Sequence, residues 1–373
     1  MKKLNSKEFN VKEFAINNVV PIIFIVLCIV CIPIAGYSGQ YLVSQIVTRI
    51  MRNSFLVLSL LIPIMAGMGL NFGMTLGAMA GQIGIIFITA WNVVGIPGLL
   101  LAAIIATPIA VLLGWFCGKM LNMARGREMI TSYMISFFMN GVYQLIVLYG
   151  MGPVIPIHSD QVILPRGYGV RNTIDLINVR QSVDTYWQIS IGGVNIPILT
   201  IILIVLLCLV IVWFRRTKLG QDMRAVGQDM EVAREAGIKV ERTRILAIVI
   251  STVFAAYGMI LYLSNMGTLN TYNSHSQIGM FSIAALLVGG ASVSKASIKN
   301  VFLGIILFHL MFILTPQAGK NLMGQAQIGE YFRVFVSYGV ITLALVLYEI
   351  RTRREKAESA KQLANLQKEG AKA

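Results

Sequence analysis

The chain has 373 residues, of which 56% are hydrophobic and only 13% charged, with a mean hydropathy of +0.74. A soluble domain has roughly a quarter of its residues charged, so the composition excludes an ordinary soluble enzyme and describes a membrane protein. The formal net charge of +15 does not point to nucleic acid, because 24 of the 31 Lys and Arg fall on one side of the topology set out below.

A spanning helix needs about 20 apolar residues, and the sequence predicts ten spans, roughly 19–36, 54–70, 74–91, 97–118, 129–149, 196–214, 244–264, 278–291, 299–315 and 331–349. The expected fold class is therefore an all-α polytopic membrane bundle of about ten helices, running through residues 19–350. A short cytoplasmic segment (1–18) precedes it and a polar tail (351–373) follows, with both termini cytoplasmic. In this arrangement the inside carries Lys2, Lys3, Lys7 and Lys12, then Lys119, Arg125 and Arg127, eight cations in 215–244, Lys295 and Lys299, and seven from Arg351 onward. Only Arg49, Arg52, Arg166, Arg171, Arg180, Lys320 and Arg333 lie elsewhere, which is the positive-inside pattern.

In chain order, the first span reads as an anchor that is retained, since its leader carries Glu8 and Glu13. Its Cys28 and Cys31 form a CxxC in apolar sequence with no histidine nearby, and read as small hydrophobes. An outside loop is expected from Tyr37 to Asn53. From Ile62 glycines crowd the sequence (Gly67, Gly69, Gly73, Gly77, Gly81, Gly84), which suits either close helix packing or unwound backbone along a pathway. Asn140 and Gln144, one turn apart in an apolar span, must face protein or water. Residues 150–195 form the long outside segment, read as a small lid or docking surface. It ends in alternating Ile189, Ile191, Val194 and Ile196 around Gly192 and Gly193, a hairpin signal.

Arg215 to Arg244 is the largest charged island. Asp229 caps a predicted helix over Met230 to Ala236, which Gly237 ends. A shorter turn at Gln221 to Val226 precedes it and breaks at Gly227. Met223, Val226, Met230 and Ala233 give it one apolar face. Further on, MGTLN at 266–270 with Gln277 echoes MGLN at 68–71 with Gln82, and the two fall on opposite sides, as an inverted repeat requires.

No predicted span has Asp, Glu, Lys or Arg near its centre, and His309 is the lone titratable candidate inside one. An ion-coupled carrier usually needs such a group, so energy is expected from elsewhere. GGASVSKA (289–296) is not a phosphate loop, because Ser294 and Ala296 stand at two of its defining positions. With no metal cluster or catalytic constellation, the chain is not expected to be an enzyme.

KLGQDMRAVGQDMEVAREAGIKVERTR, and IAALLVGGASVSKASIKNVFLG at 283–304, resemble the permease subunits of bacterial ABC importers that handle ribose, galactose, nucleosides and branched-chain amino acids. The second stretch departs at Ser294 and Lys295, where a glycine pair is often found, and 69–84 lacks an acidic GIDLS-like core. The resemblance implies a bacterial inner-membrane protein whose island, through Gly220, Met223, Arg224, Ala225, Val226, Gly227, Ala233, Glu235, Ala236, Gly237 and Ile238, couples to an ATPase dimer. It also implies a second permease subunit, a solute-binding protein outside, and ATP with magnesium on the ATPase rather than on this chain. A pathway without fixed charge suits a neutral polar solute, a sugar or nucleoside before an amino acid, lined by Asn71, Thr75, Gln82, Asn140, Gln144, Asn265 and Gln277. The alternative from the residues alone is a stand-alone carrier or channel with the island as a basic loop.

Overall fold

The structure, a computed structural model, describes residues 18–157, 159–325 and 327–335 with positions 338, 339, 342 and 346. The N-terminal segment before Asn18, the polar tail from Arg351 and most of the tenth predicted span lie outside the described residues; 327–335 is helical. The helices are α1 Val19–Ala35, α2 Gly39–Ser59, α3 Leu61–Met65, α4 Met74–Ala90, α5 Gly95–Met123 and α6 Glu128–Leu145, which ends in a π turn at Ile146–Gly150. After strand β1 (Thr173–Asp175) come α7 Ser182–Tyr186, β2 Gln188–Ile191, β3 Val194–Pro197 and α8 Ile198–Phe214. Then follow α9 Lys218–Gln228, α10 Met230–Glu235, α11 Val240–Met266, β4 Thr268–Asn270, α12 Ser274–Val288 and α13 Ile298–Met323. Five stretches among them are long and apolar enough to cross a membrane, Gly39–Met65, Gly95–Met123, Glu128–Gly150, Val240–Met266 and Ile298–Met323. A sixth is α8 taken with α9, which bends away from it by 72°. The all-α membrane bundle is therefore present.

Helix α11 is the axis, with α2, α4 and α5 packed around it, while α13 packs on α1, α2 and α12. Small residues make this possible: a Cβ on Gly77 would run into the Thr252 carbonyl, and one on Gly81 would lie 2.5 Å from the Ala256 carbonyl. Without a hydrophobic force between helices in lipid, such backbone approach supplies the packing. The glycine run thus divides, with Gly77, Gly81 and Gly84 in contacts inside α4 and Gly67, Gly69 and Gly73 in the irregular segment before it.

Two expectations fail in α2. The loop placed at Tyr37 to Asn53 is helix from Gly39, started by Ser38, whose hydroxyl accepts from the Tyr41 amide. Its polar side chains are satisfied within the fold: Asn53 and Ser54 donate back to the Arg49 and Ile50 carbonyls, and Arg52 donates to Asn265 Oδ1 of α11 at 2.6 Å, against the Tyr262 ring. The span Gly39–Met65 consequently does carry cations near its middle, Arg49 and Arg52.

The hairpin is found, with Ile191 paired to Val194 across Gly192 and Gly193, both in the left-handed region that such a two-residue turn demands. A second pairing has no counterpart in the sequence pattern: β1 runs antiparallel to β4, Ile174 opposite Leu269, and ties the segment after α6 to the break between α11 and α12. GGASVSKA is a turn in which Ser292 accepts from the Lys295 amide, and Ser297 with Asn300 forms a capping box for α13.

Candidate functional site

Helices α4 and α12 have 17 and 15 residues, about 26 and 23 Å at 1.5 Å per residue, short of the ~30 Å hydrocarbon core. Each follows a break, Ala66 to Gly73 for α4 and Gly267 to Asn273 for α12. The two helices meet where Gly279 lies against the Thr75 side chain.

At that meeting, polar side chains from three helices converge. His275, on the first turn of α12 and fully buried, has one ring nitrogen 2.8 Å from Gln82 Oε1 and the other 2.8 Å from Asn140 Oδ1. Gln82 also donates to the Asn270 carbonyl, and Gln144 Nε2 donates to Asn140 Oδ1, both at 3.4 Å. Tyr143 stacks edge-on against the imidazole, 5.0 Å between centroids, and its buried hydroxyl has no partner among the described residues. A neutral imidazole has one N–H, so one of the flanking amides must present its NH₂ to the ring. Two turns closer to the first break on α4, Thr75 Oγ1 lies 2.8 Å from Ser136 Oγ, and Ser136 donates to the Phe72 carbonyl.

Of the seven residues predicted to line a pathway, Gln82, Asn140 and Gln144 are therefore brought together. Thr75 lies beside them, and Asn71 sits in the first break, its Oδ1 accepting from the Gly73 amide and its buried Nδ2 without a partner among the described residues. Asn265 is elsewhere, held between Arg52 and Asp184, and Gln277 is exposed on α12. His275, Ser136 and Tyr143 were missed; His275 was excluded because the eighth span was started at 278, although it lies one turn before Gly279 on the same face. His309, the histidine that was singled out, is buried among Phe308 and Phe312.

The charged island forms two helices. Asp229 caps α10 as predicted, accepting from the Glu231 and Val232 amides, and Gly237 is left-handed. Gly227 does not break the preceding helix, which runs from a Thr217 cap to Gln228. It serves a contact instead: Gly67, left-handed at φ 72°, would bring a Cβ within 2.8 Å of the Gly227 Cα. The apolar face is turned inward. Met223 is buried among Ile62, Ala66, Met68 and Ile248, while Val226 and Ala233 are buried with Val240. Of the proposed coupling residues, Gly220, Met223, Val226 and Ala233 are interior and Ala225 and Ile238 are half-buried. Arg224, Gly227, Glu235, Ala236 and Gly237 are exposed, together with Val232 at 62%, which the sequence reading passed over. Beneath the island, Arg244, 1% exposed, donates to Glu128 Oε1 at 2.5 Å and points a second nitrogen at the Met230 sulfur, joining α11, α6 and α10.

The chain is 26% identical over 81% of its length, and 79% of the relative's, to the nucleoside ABC transporter permease protein NupB of Lactococcus lactis. It is 25% identical over 66% of its length to the autoinducer 2 import system permease protein LsrD of Photorhabdus luminescens, covering 67% of that protein. Against the galactose/methyl galactoside import permease protein MglC of Salmonella typhimurium it is 25% identical over 45% of its length and 48% of the relative's. No solved structure matches significantly. The model of the branched-chain amino acid transport system / permease component family matches residues 42–345. The family works with a separate ATPase and a solute-binding protein, so a stand-alone carrier is set aside. The chain belongs to this family, and is a multi-pass permease subunit of an ABC importer.

Proposed function

We propose that the chain carries a nucleoside or simple sugar, and that the cluster of Gln82, His275, Asn140, Gln144 and Tyr143 forms the polar surface the solute meets or the gate it opens. The observation that carries this reading is the bridging of α4, α6 and α12 by His275 through uncharged amides. Such groups match hydroxyls and heterocyclic edges, and any relative shift of the two short helices frees them for a solute. The names of the relatives, nucleoside and galactose permeases, support it. Asn71 and Thr75 extend the path toward the first break, Gln277 joins it by facing a second permease subunit across the pathway, and Asn265, held between Arg52 and Asp184, stands apart from it. The island lies in the cytoplasm, with both termini on that side, and docks the ATPase by its outward face, Arg224, Val232 and Glu235. ATP and magnesium bind to that ATPase. ATP-driven closure moves α9 against Gly67 and the bundle alternates its access. Uptake of labelled uridine, galactose and leucine by proteoliposomes holding the whole complex tests the reading. Transport of uridine or galactose is expected, and transport of leucine alone would overturn it.

A further inference from the structure

A cavity of about 860 Å³ opens where the end of α5 meets α10 and the start of α11. Trp115, Ile245 and Leu246 give it apolar walls, and Arg125, Arg234, Lys239 and Arg242 surround it with four cations against one carboxylate, Glu241. Arg125 pairs with that carboxylate at 2.6 Å. Among the described residues, Arg234, Lys239 and Arg242 form no ion pair. Trp115 is half-exposed, with the Lys119 ammonium 5.3 Å from its ring, and Leu112 one turn earlier on α5 is bare at 65%. A tryptophan between bare apolar helix surface and a belt of cations marks the level of the lipid headgroups.

We propose that this cavity binds an anionic glycerophospholipid. Its phosphate sits among Arg234, Lys239 and Arg242, and its glycerol and upper acyl carbons lie along Trp115, Ile245 and Leu246. The two halves of the lining demand an amphiphile: a free phosphate would satisfy the cations and leave the tryptophan wall wet. A seat for the ATPase would need that protein to reach the bare surface of α5. Basic pockets between spanning helices are suited to anionic headgroups, at about fivefold in affinity per cation near the surface. Because α10 is part of the lining, the lipid also steadies the island.

The test is native mass spectrometry of the full chain in detergent, titrated with dioleoylphosphatidylglycerol, dioleoylphosphatidylcholine and glycerol 3-phosphate. Phosphatidylglycerol should be retained selectively, and R234Q/K239Q/R242Q should weaken its retention by roughly a hundredfold, R242Q alone by about fivefold. W115L should weaken phosphatidylglycerol alone. Equal retention of phosphatidylcholine, or unchanged retention in R242Q, overturns the site. Glycerol 3-phosphate binding as tightly as the lipid assigns the cations to a soluble phosphate and overturns the lipid. Displacement of phosphatidylglycerol by the added ATPase subunit gives the surface to that protein, and overturns it equally.

Discussion

The breaks before α4 and α12 look alike in sequence, MGLN and MGTLN, and each leads into a helix too short to cross alone. Their anchors differ. The first is pressed by Gly67 onto Gly227 of the charged island, at one end of the bundle. The second is fastened at the other end, where β4 pairs with β1, Thr271 donates to the Asn172 and Arg171 carbonyls, and Tyr272 donates to Val170. Their helices nonetheless converge on one cluster, Gln82 with His275. One break is thus placed to feel the island and the other the segment on the far side, and the comparison predicts that damage to either reaches the same amides.

Breaking the first anchor should have the largest effect. A Cβ at Gly227 would collide with the Met65 carbonyl, so G227V should abolish ATP-driven uptake by the reconstituted complex while leaving ATP hydrolysis, the two being measured in the same vesicles. Next is the support under the island. Removing one partner of a buried ion pair costs about 3–5 kcal/mol, and R244M should lower the thermal stability of the purified chain accordingly. Because a paired apolar replacement is often neutral, R244M/E128L should recover most of the loss. At the convergence point, H275L strips the Gln82 and Asn140 amides of their partner at about 1–3 kcal/mol for each group left unsatisfied. It should cut uptake by at least tenfold, with H275Q retaining more than H275L. The second anchor offers the smallest effect: T271V loses one hydrogen bond, about 1 kcal/mol. It should reduce the stimulation of ATP hydrolysis by the solute-binding protein and leave the basal rate alone. Equal damage to basal hydrolysis from T271V would erase the distinction between the two breaks.

Most of the helices could be read from apolar length, because lipid leaves the chain little other choice. The exception, α2, was lost where Arg49, Arg52, Asn53 and Ser54 lower the local hydropathy. A window of residues cannot know that Asn265 and a helical carbonyl will satisfy them. The island's caps and its apolar face were also legible, being local. What that face presses on was not, since amphipathic spacing says that a surface is covered and never by whom. The amides of the candidate site could be found because an amide in a span is conspicuous. His275 lay just beyond the assumed helix start, and its partners are 193 and 135 residues away.

The pairing of Thr173 with Asn270 sets an order of events in synthesis. Strand β1 is made before α8, the island and α11, and its partner β4 only after them. At a synthesis rate of roughly 5–20 residues per second, β1 waits about 5–20 s with its edge bare. The strand at Thr173–Asp175 therefore cannot close until Asn270 has been made, while the neighbouring hairpin β2–β3 can pair at once, and a stall anywhere between the two strands leaves β1 open to proteases or to pairing with another copy.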